Sequence, residues 1–190
     1  LLVEKFFNFT SENARVMEDR AQDLYNSLKG VIIDLRYNHG GTVDSVQDFV
    51  SGFLPRNTPI FQVKYAISKE LFYTEKSPFI PKNIPVVIIV NASTGGGATE
   101  AASILHELRG AKIIGERTAA GYGIAVLREL PDGSTLQYSN GIMLKASGDP
   151  FPEIGIDPDF AVKNNPIFDW NGKNDLLYQY AKNLLEKWKS

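Results

Sequence analysis

No cysteine occurs among the 190 residues, which excludes a disulfide framework, a thiolate metal site and a cysteine nucleophile. That absence does not separate cytosol from periplasm or cell exterior. Histidine is nearly as scarce: His39 and His106 are the only two, too few for a histidine-rich metal site, so no metal and no cofactor are expected. Neither sign of charge dominates, since 20 Lys+Arg stand against 22 Asp+Glu for a net charge of −2. The basic residues are scattered, so neither nucleic acid nor an anionic membrane is indicated as a partner. No apolar run approaches the roughly 20 residues needed to span a bilayer. Leu1–Phe9 also lacks the charged start and long apolar middle of a signal peptide. What is there, 43% hydrophobic residues in a chain of this length, predicts a single domain over 1–190 with at most a small excursion.

The stretch 86–100, Val-Val-Ile-Ile-Val-Asn-Ala-Ser-Thr-Gly-Gly-Gly-Ala-Thr-Glu, organises the rest. Val86–Val90 is too short for a typical helix and too uniform for a half-exposed strand, so it predicts a strand covered on both faces. Gly95–Gly97 permit positive φ and close backbone approach, and a helix entered near Ala98 points unpaired N–H groups back at the bend. Such a bend suits an anion or an oxyanion. From this stretch alone, a plain βα loop with flexible glycines is the alternative.

From the N-terminus, Leu1–Phe9 reads as a Phe-rich strand, and Thr10 or Ser11 caps a helix whose apolar positions are Ala14, Met17, Ala21, Leu24 and Leu28. Gly30 ends it. Val31–Leu35 follows as a strand with Asp34 its last acid, and residues 36–41 turn out of it. A second helix presents Val43, Val46, Phe49, Val50 and Phe53 and must stop before Pro55. Pro59–Ala66 predicts another strand. Residues 67–83 have mixed charge, two prolines and no clean period, so a surface connection with at most a helical turn is expected. Ala98–Leu108 has helical spacing closed by Gly110, and the strand Ala111–Gly115 completes a βαβ unit. From Ile124 the period falls to two: Ile124–Leu130 and Thr135–Ser139 flank the turn 131–134, with a third strand Gly141–Lys145 beside them. A last helix from Asp175 carries Leu176, Leu177, Tyr180, Leu184, Leu185 and Trp188.

Two βα bends thus end in glycines, at Gly40–Gly41 and Gly95–Gly97, and adjacent parallel strands would bring both to one sheet edge. Backbone N–H groups from both could hold one oxyanion. The wording of the pieces goes further. Gly30-Val-Ile-Ile-Asp-Leu-Arg-Tyr-Asn-His-Gly-Gly41, the bend 91–100, Ile113-Ile-Gly-Glu-Arg-Thr118, Leu130-Pro-Asp-Gly133 and Gly155-Ile-Asp-Pro-Asp159, in this order, resemble the tail-specific (C-terminal processing) serine protease family. The family includes the tricorn core and retinoid-binding relatives, and the resemblance covers roughly residues 1–162. It implies an α/β, ββα-spiral (ClpP/crotonase-like) core with a C-terminal β-hairpin region and a terminal helix. It also implies a serine-type peptidase acting on peptide or unfolded protein substrates, an extracytoplasmic setting (periplasmic, cell-surface or secreted), and upstream domains outside this chain. Opening within a strand, the chain reads as a mature or trimmed product. Nothing in the sequence indicates an oligomeric state.

In that family a serine three residues before the glutamate that opens the helix attacks the scissile carbonyl. Here Glu100 is present and the serine's position is Gly97, which has no nucleophile. The resemblance makes the N–H groups of Gly40 or Gly41 and of Ala98 the oxyanion hole, since backbone donors survive the loss of the hydroxyl. Some members activate the serine with a lysine in a Gly-Lys-Gly segment; this chain has Gly121-Tyr122-Gly123 there. Tyr122, with an ordinary pKa of about 10, is a poor base and reads better as a packing aromatic. Other members use glutamate, histidine and a second serine, and Glu153 matches the acid of that relay, whose other parts would lie upstream. His39, beside the proposed hole, reads as a loop histidine, with a cleft-facing role as the alternative; His106 reads as surface or core. Asp34 and Arg36 suggest a structural ion pair. Ser93 and Thr94 are the hydroxyls of the bend before the glycines, so a shifted register would make one of them the nucleophile. Gly97 therefore has three open explanations: a serine exchanged to silence an enzyme, a natural binding homologue, or an enzyme using another hydroxyl. A crotonase-like acyl-CoA enzyme is the rival class, although no basic cluster for the CoA phosphates adjoins the bends.

Overall fold

The two most uniformly apolar runs form the centre of the fold. The computed structural model, which describes residues 1–163 and 174–188, makes them β2 (Val31–Asp34) and β5 (Val86–Val90), each buried at every position. They pair in parallel, with Asp34 opposite Ile89. β1 (Leu2–Lys5), β6 (Lys112–Gly115) and β9 (Phe160–Ala161) complete a five-stranded parallel sheet ordered β1-β2-β5-β6-β9. Successive residues face opposite sides, so Val31, Ile33, Val86, Ile88 and Val90 enter one apolar cluster while Ile32, Val87, Ile89 and Ile114 enter another. Helices α1 (Ser11–Asp23), α2 (Val43–Ser51) and α3 (Gly97–Ile104) cover the first side, with α2 between the other two. Helix α4 (Leu176–Lys187) covers the second through Leu177, Ala181 and Leu185. Cover on both faces is why these strands read as continuous apolar runs.

Side-chain caps set the helix starts: Thr10, Thr42 and Asp175 accept from the N–H groups of Asn13, Ser45 and Tyr178. Helix α3 departs from its expected span. It begins at Gly97 and keeps α geometry only to Ile104, after which Leu105–Arg109 form one π turn. Gly110, at φ +73°, then reverses the chain so that Ala111 N–H reaches back to Leu105 O at 3.2 Å. Among the described residues no helix is long and apolar enough to cross a membrane.

A second sheet is antiparallel and built from β3 (Pro59–Tyr65), β4 (Lys69–Tyr73), β7 (Gly123–Glu129) and β8 (Thr135–Lys145), ordered β4-β3-β8-β7. Here three expectations are corrected. The connection 67–83 contains strand β4, whose residues are exposed at nearly every position at the sheet edge and so carry no alternation to read. The two strands expected after the turn at 131–134 are one, β8, which pairs with β7 over 135–142 and with β3 over 141–145. Asn140 is a bulged residue within the pairing with β7, because Ala125 opposes Ser139 and Ile124 opposes Gly141. Strand β1 stops at Lys5, not Phe9. Phe6 and Phe9 leave the sheet to pack their rings 5.3 and 4.5 Å from Phe49 of α2.

Candidate functional site

Because β2 and β5 are parallel neighbours, the chain leaves both at the same edge, and the two glycine bends meet there. Buried polar side chains stitch them. Thr94 Oγ1 donates to Leu35 O at 2.8 Å and accepts from Asn91 N at 3.0 Å, while Asn91 Oδ1 accepts from Tyr37 N at 3.1 Å. Gly95 N donates to Asn38 O at 2.9 Å. Asn38 fixes the first bend by donating Nδ2 to Phe6 O at 3.0 Å and accepting Gly40 N at 2.7 Å. The loop after β6 joins through Ala119 N, 2.7 Å from Thr94 O, and Thr99 Oγ1, 2.9 Å from Ala119 O. Contact between the bends is backbone on backbone. Gly40 has φ +97°, and a Cβ there would stand 2.4 Å from Gly97 N; a Cβ at Gly96, φ +51°, would stand 2.7 Å from His39 O.

Beside this junction lies a cavity of about 490 Å³, lined by His39, Gly41, Val46, Gly97, Glu100 and Met143 among others. The expected donors are distributed differently from the reading of the sequence. Gly40 N–H is committed to Asn38, and Ala98 N–H donates to Gly95 O at 3.1 Å, because a tight bend satisfies its own donors where it can. Among the described residues, the N–H groups of Gly41 and Gly97 have no acceptor, and both residues line the cavity. A Cβ at residue 97 would stand 3.4 Å from Gly41 N but only 2.6 Å from Val46 Cγ2. Glu100 also lines the cavity, 3% exposed, its N–H bonded to Gly96 O at 3.3 Å and its carboxyl without a hydrogen bond among the described residues.

Residues 3–162 match the sequence model of Peptidase family S41. The chain belongs to that family. It is similar to the carboxy-terminal processing protease CtpA of Bacillus subtilis (strain 168), with 32% identity over 153 residues, 80% of this chain and 32% of that protein. The S41 chain therefore spans about a third of the length of the curated relatives it matches. Among solved structures, it resembles the photosystem II D1 C-terminal processing protease with TM-score 0.71 and 20% identity, over 85% of this chain and 42% of that one. It also resembles the tricorn protease, with TM-score 0.61 and 16% identity over 99% of this chain and 18% of that one. These likenesses establish the α/β fold shared with S41 proteases and the tricorn type.

The S41 chain holds its remaining candidate residues in varied settings. Thr94 is fully buried and its hydroxyl is spent inside the bend; Ser93 is half-buried and its N–H donates to Asn91 Oδ1 at 3.2 Å. Neither lines the cavity. His39 is exposed at the rim. Tyr122 donates its hydroxyl to Pro152 O at 2.6 Å and stacks on Phe151 at 5.4 Å, and burial together with the nearby Glu100 charge pushes its pKa up to about 12. Glu153 is exposed on the turn closed by Gly155 N–H to Pro152 O and is not among the cavity-lining residues. His106 lies in the π turn with Nδ1 2.9 Å from Ala111 O. Three contributors have no sequence signal of their own. Asn38 looks like any turn residue, Val46 like any helix-core residue, and Asp44 like any acid in a first helical turn, yet Asn38 holds the first bend and the other two line the cavity.

Burial pushes the Glu100 carboxyl up to about 8 from its ordinary 4.5. Across that window the folded chain keeps a proton that the unfolded chain has lost, so stability falls as pH rises from 4.5 to about 8 and levels off beyond. At about 1.4 kcal/mol per unit, Glu100→Gln should gain roughly 2–4 kcal/mol on the parent between those limits. Urea unfolding of both proteins at pH 5 and 8 measures this. Parallel pH profiles would place the Glu100 proton elsewhere.

Proposed function

We propose that this S41 domain holds an extended peptide segment against the edge of its parallel sheet and does not cleave it, with Gly97 standing where the family's nucleophilic serine stands. One observation carries the reading: the place of a side-chain carbon at residue 97 adjoins the unpaired Gly41 N–H and is filled from the other side by Val46 Cγ2. The N–H groups of Gly41 and Gly97 suit a peptide carbonyl, as an oxyanion hole does before any bond is made. Without a hydroxyl at residue 97, no acyl-enzyme can follow from this register. Glu100, three residues on, keeps the family's spacing, and the S41 match supplies peptide or unfolded protein as the substrate class. The same kinship favours a setting outside the cytoplasm. An acyl-CoA enzyme is disfavoured because, among the described residues, no lysine or arginine lines the cavity to meet phosphates.

Calorimetry with end-blocked peptides tests the reading. Binding is expected in the parent chain and at least about tenfold weaker binding in Gly40→Ala, whose Cβ would part the bends and whose φ of +97° costs about 1–3 kcal/mol for a residue with a side chain. An adenine nucleotide bound in place of peptide would overturn it.

A further inference from the structure

The cavity lined by Gly41 contains a carboxyl that has no hydrogen-bond partner among the described residues. Glu100 is buried and lines the cavity, and its carboxyl, open to the cavity, has no hydrogen bond among the described residues, whereas buried polar groups are nearly always partnered. A ligand group that satisfied it would therefore gain more here than at the surface.

The rest of the lining limits what that group can be. Asp44 adds a second carboxylate, no lysine or arginine lines the cavity among the described residues, and His39 stands at the exposed rim. Val43, Val46, Ile124 and Met143 supply apolar wall. A pocket acidic at its base and apolar along its sides fits a cation on a hydrocarbon stem. Among the described residues no group of three His, Asp or Glu could hold a metal ion, which disfavours a bare cation. An acidic side chain would meet the Asp44 carboxylate and, once Glu100 ionises, a second one, and a neutral aliphatic one would leave Glu100 unsatisfied. An ammonium is a compact point charge that the one buried carboxyl can hold, whereas arginine's planar fork of five donors would also have to reach Asp44, which is exposed.

We infer, resting on the peptide-cleft reading above, that this cavity takes a lysine side chain of the bound segment, its stem against Val46 and Met143 and its ammonium on the Glu100 carboxylate. Pairing requires Glu100 to give up the proton it holds at neutral pH, so binding releases that proton to solvent and tightens as pH rises towards 8. Among the described residues, the other titratable groups at the cavity and beside Glu100 are Tyr122, which stays neutral over this range, and His39 and Asp44 from the first bend and α2.

The test is calorimetry with acetyl-Ala-Ala-Lys-Ala-Ala-amide and its norleucine counterpart, in buffers of different ionisation enthalpy. The lysine peptide should bind at least about tenfold more tightly at pH 8.5, a difference of one decade in Kd. At pH 7 it should release close to one proton per peptide. In Glu100→Gln, an isostere of the neutral acid, the preference should fall below about twofold and the proton release should vanish. Equal binding of the two peptides by the parent chain would overturn the lysine pocket and leave the peptide cleft standing. Binding of neither would remove both. A preference for lysine that survives in Glu100→Gln, or lysine binding by the parent without proton release, would overturn the pairing with Glu100.

Discussion

A serine-directed fluorophosphonate should leave this chain unlabelled, and its turnover of peptides should lie on the order of 10⁶ below that of an intact serine peptidase, the loss usual when a nucleophile is removed. What remains is binding and the help of the N–H groups of Gly41 and Gly97. Restoring the hydroxyl is not a single step. Gly97→Ser brings a Cβ to 2.6 Å from Val46 Cγ2, and overpacking of that kind costs about 1–3 kcal/mol. Val46→Ala removes the obstructing methyl, so the pair should be more stable than the sum of the single changes by about 1 kcal/mol. Labelling at residue 97 is expected in Gly97→Ser/Val46→Ala only when upstream sequence supplies the relay. Labelling of the unchanged chain at Ser93 or Thr94, lost on change to alanine, would show that the register is wrong. For Thr94 that outcome would need its Oγ1 to abandon Leu35 O. A double variant that carries upstream sequence and stays unlabelled would favour the natural binding homologue over a silenced enzyme.

The central strands and four helices were legible because each answers to one local rule. Val31–Ile33 and Val86–Val90 are apolar throughout because both faces are covered, and Thr10 and Asp175 sit where their helices begin. The glycine bends were legible for the same reason: close approach of two backbones leaves room for no other residue at Gly40 and Gly96. Strand β4 was not, since an exposed edge strand has no buried face to impose a period. Nor was the unity of β8, whose bulge at Asn140 breaks the alternation in the middle of one strand. At the site, backbone donors could be named to within a residue, but which of them stay unpaired depends on Asn38 and Gly95, whose acceptors turn inward only in the folded chain. Val46 belongs to the same class. Its helical spacing gives its burial, and only the neighbouring bend turns that burial into an obstacle at residue 97.

Arg36→Met should destabilise the protein by about 3–5 kcal/mol at pH 7, the cost of stranding buried carboxylates. The sequence offers Asp34 as the partner of Arg36, and the structure adds a second acid from 139 residues away. The guanidinium lies 2.6 Å from Asp34 Oδ2 and 2.5 Å from Asp175 Oδ2, with all three side chains largely buried. Asp175 is also the cap of α4, accepting Tyr178 N at 3.1 Å, so one ion ties the exit of β2 to the helix on the opposite face of the sheet. Burial alone would raise the Asp175 carboxyl, but hydrogen bonds from Arg36 and Tyr178 and the Arg36 charge together hold it below its ordinary value. The stability this contributes is present above the unfolded carboxyl's pKa and is lost as pH falls through the lower folded one. Methionine fills much of the arginine's volume, so the change reports charge more than cavity. Lys5, 3.4 Å from Asp34, remains to serve that carboxylate. Asp175 loses its arginine, and its pKa should then rise. The variant should consequently recover ground on acidification, the gap to the parent narrowing from pH 7 to pH 4 as its stranded carboxyl takes up a proton. Urea unfolding at the two pH values decides it: a difference under 1 kcal/mol at pH 7, or one that widens on acidification, would mean that Arg36 does not hold the two acids together.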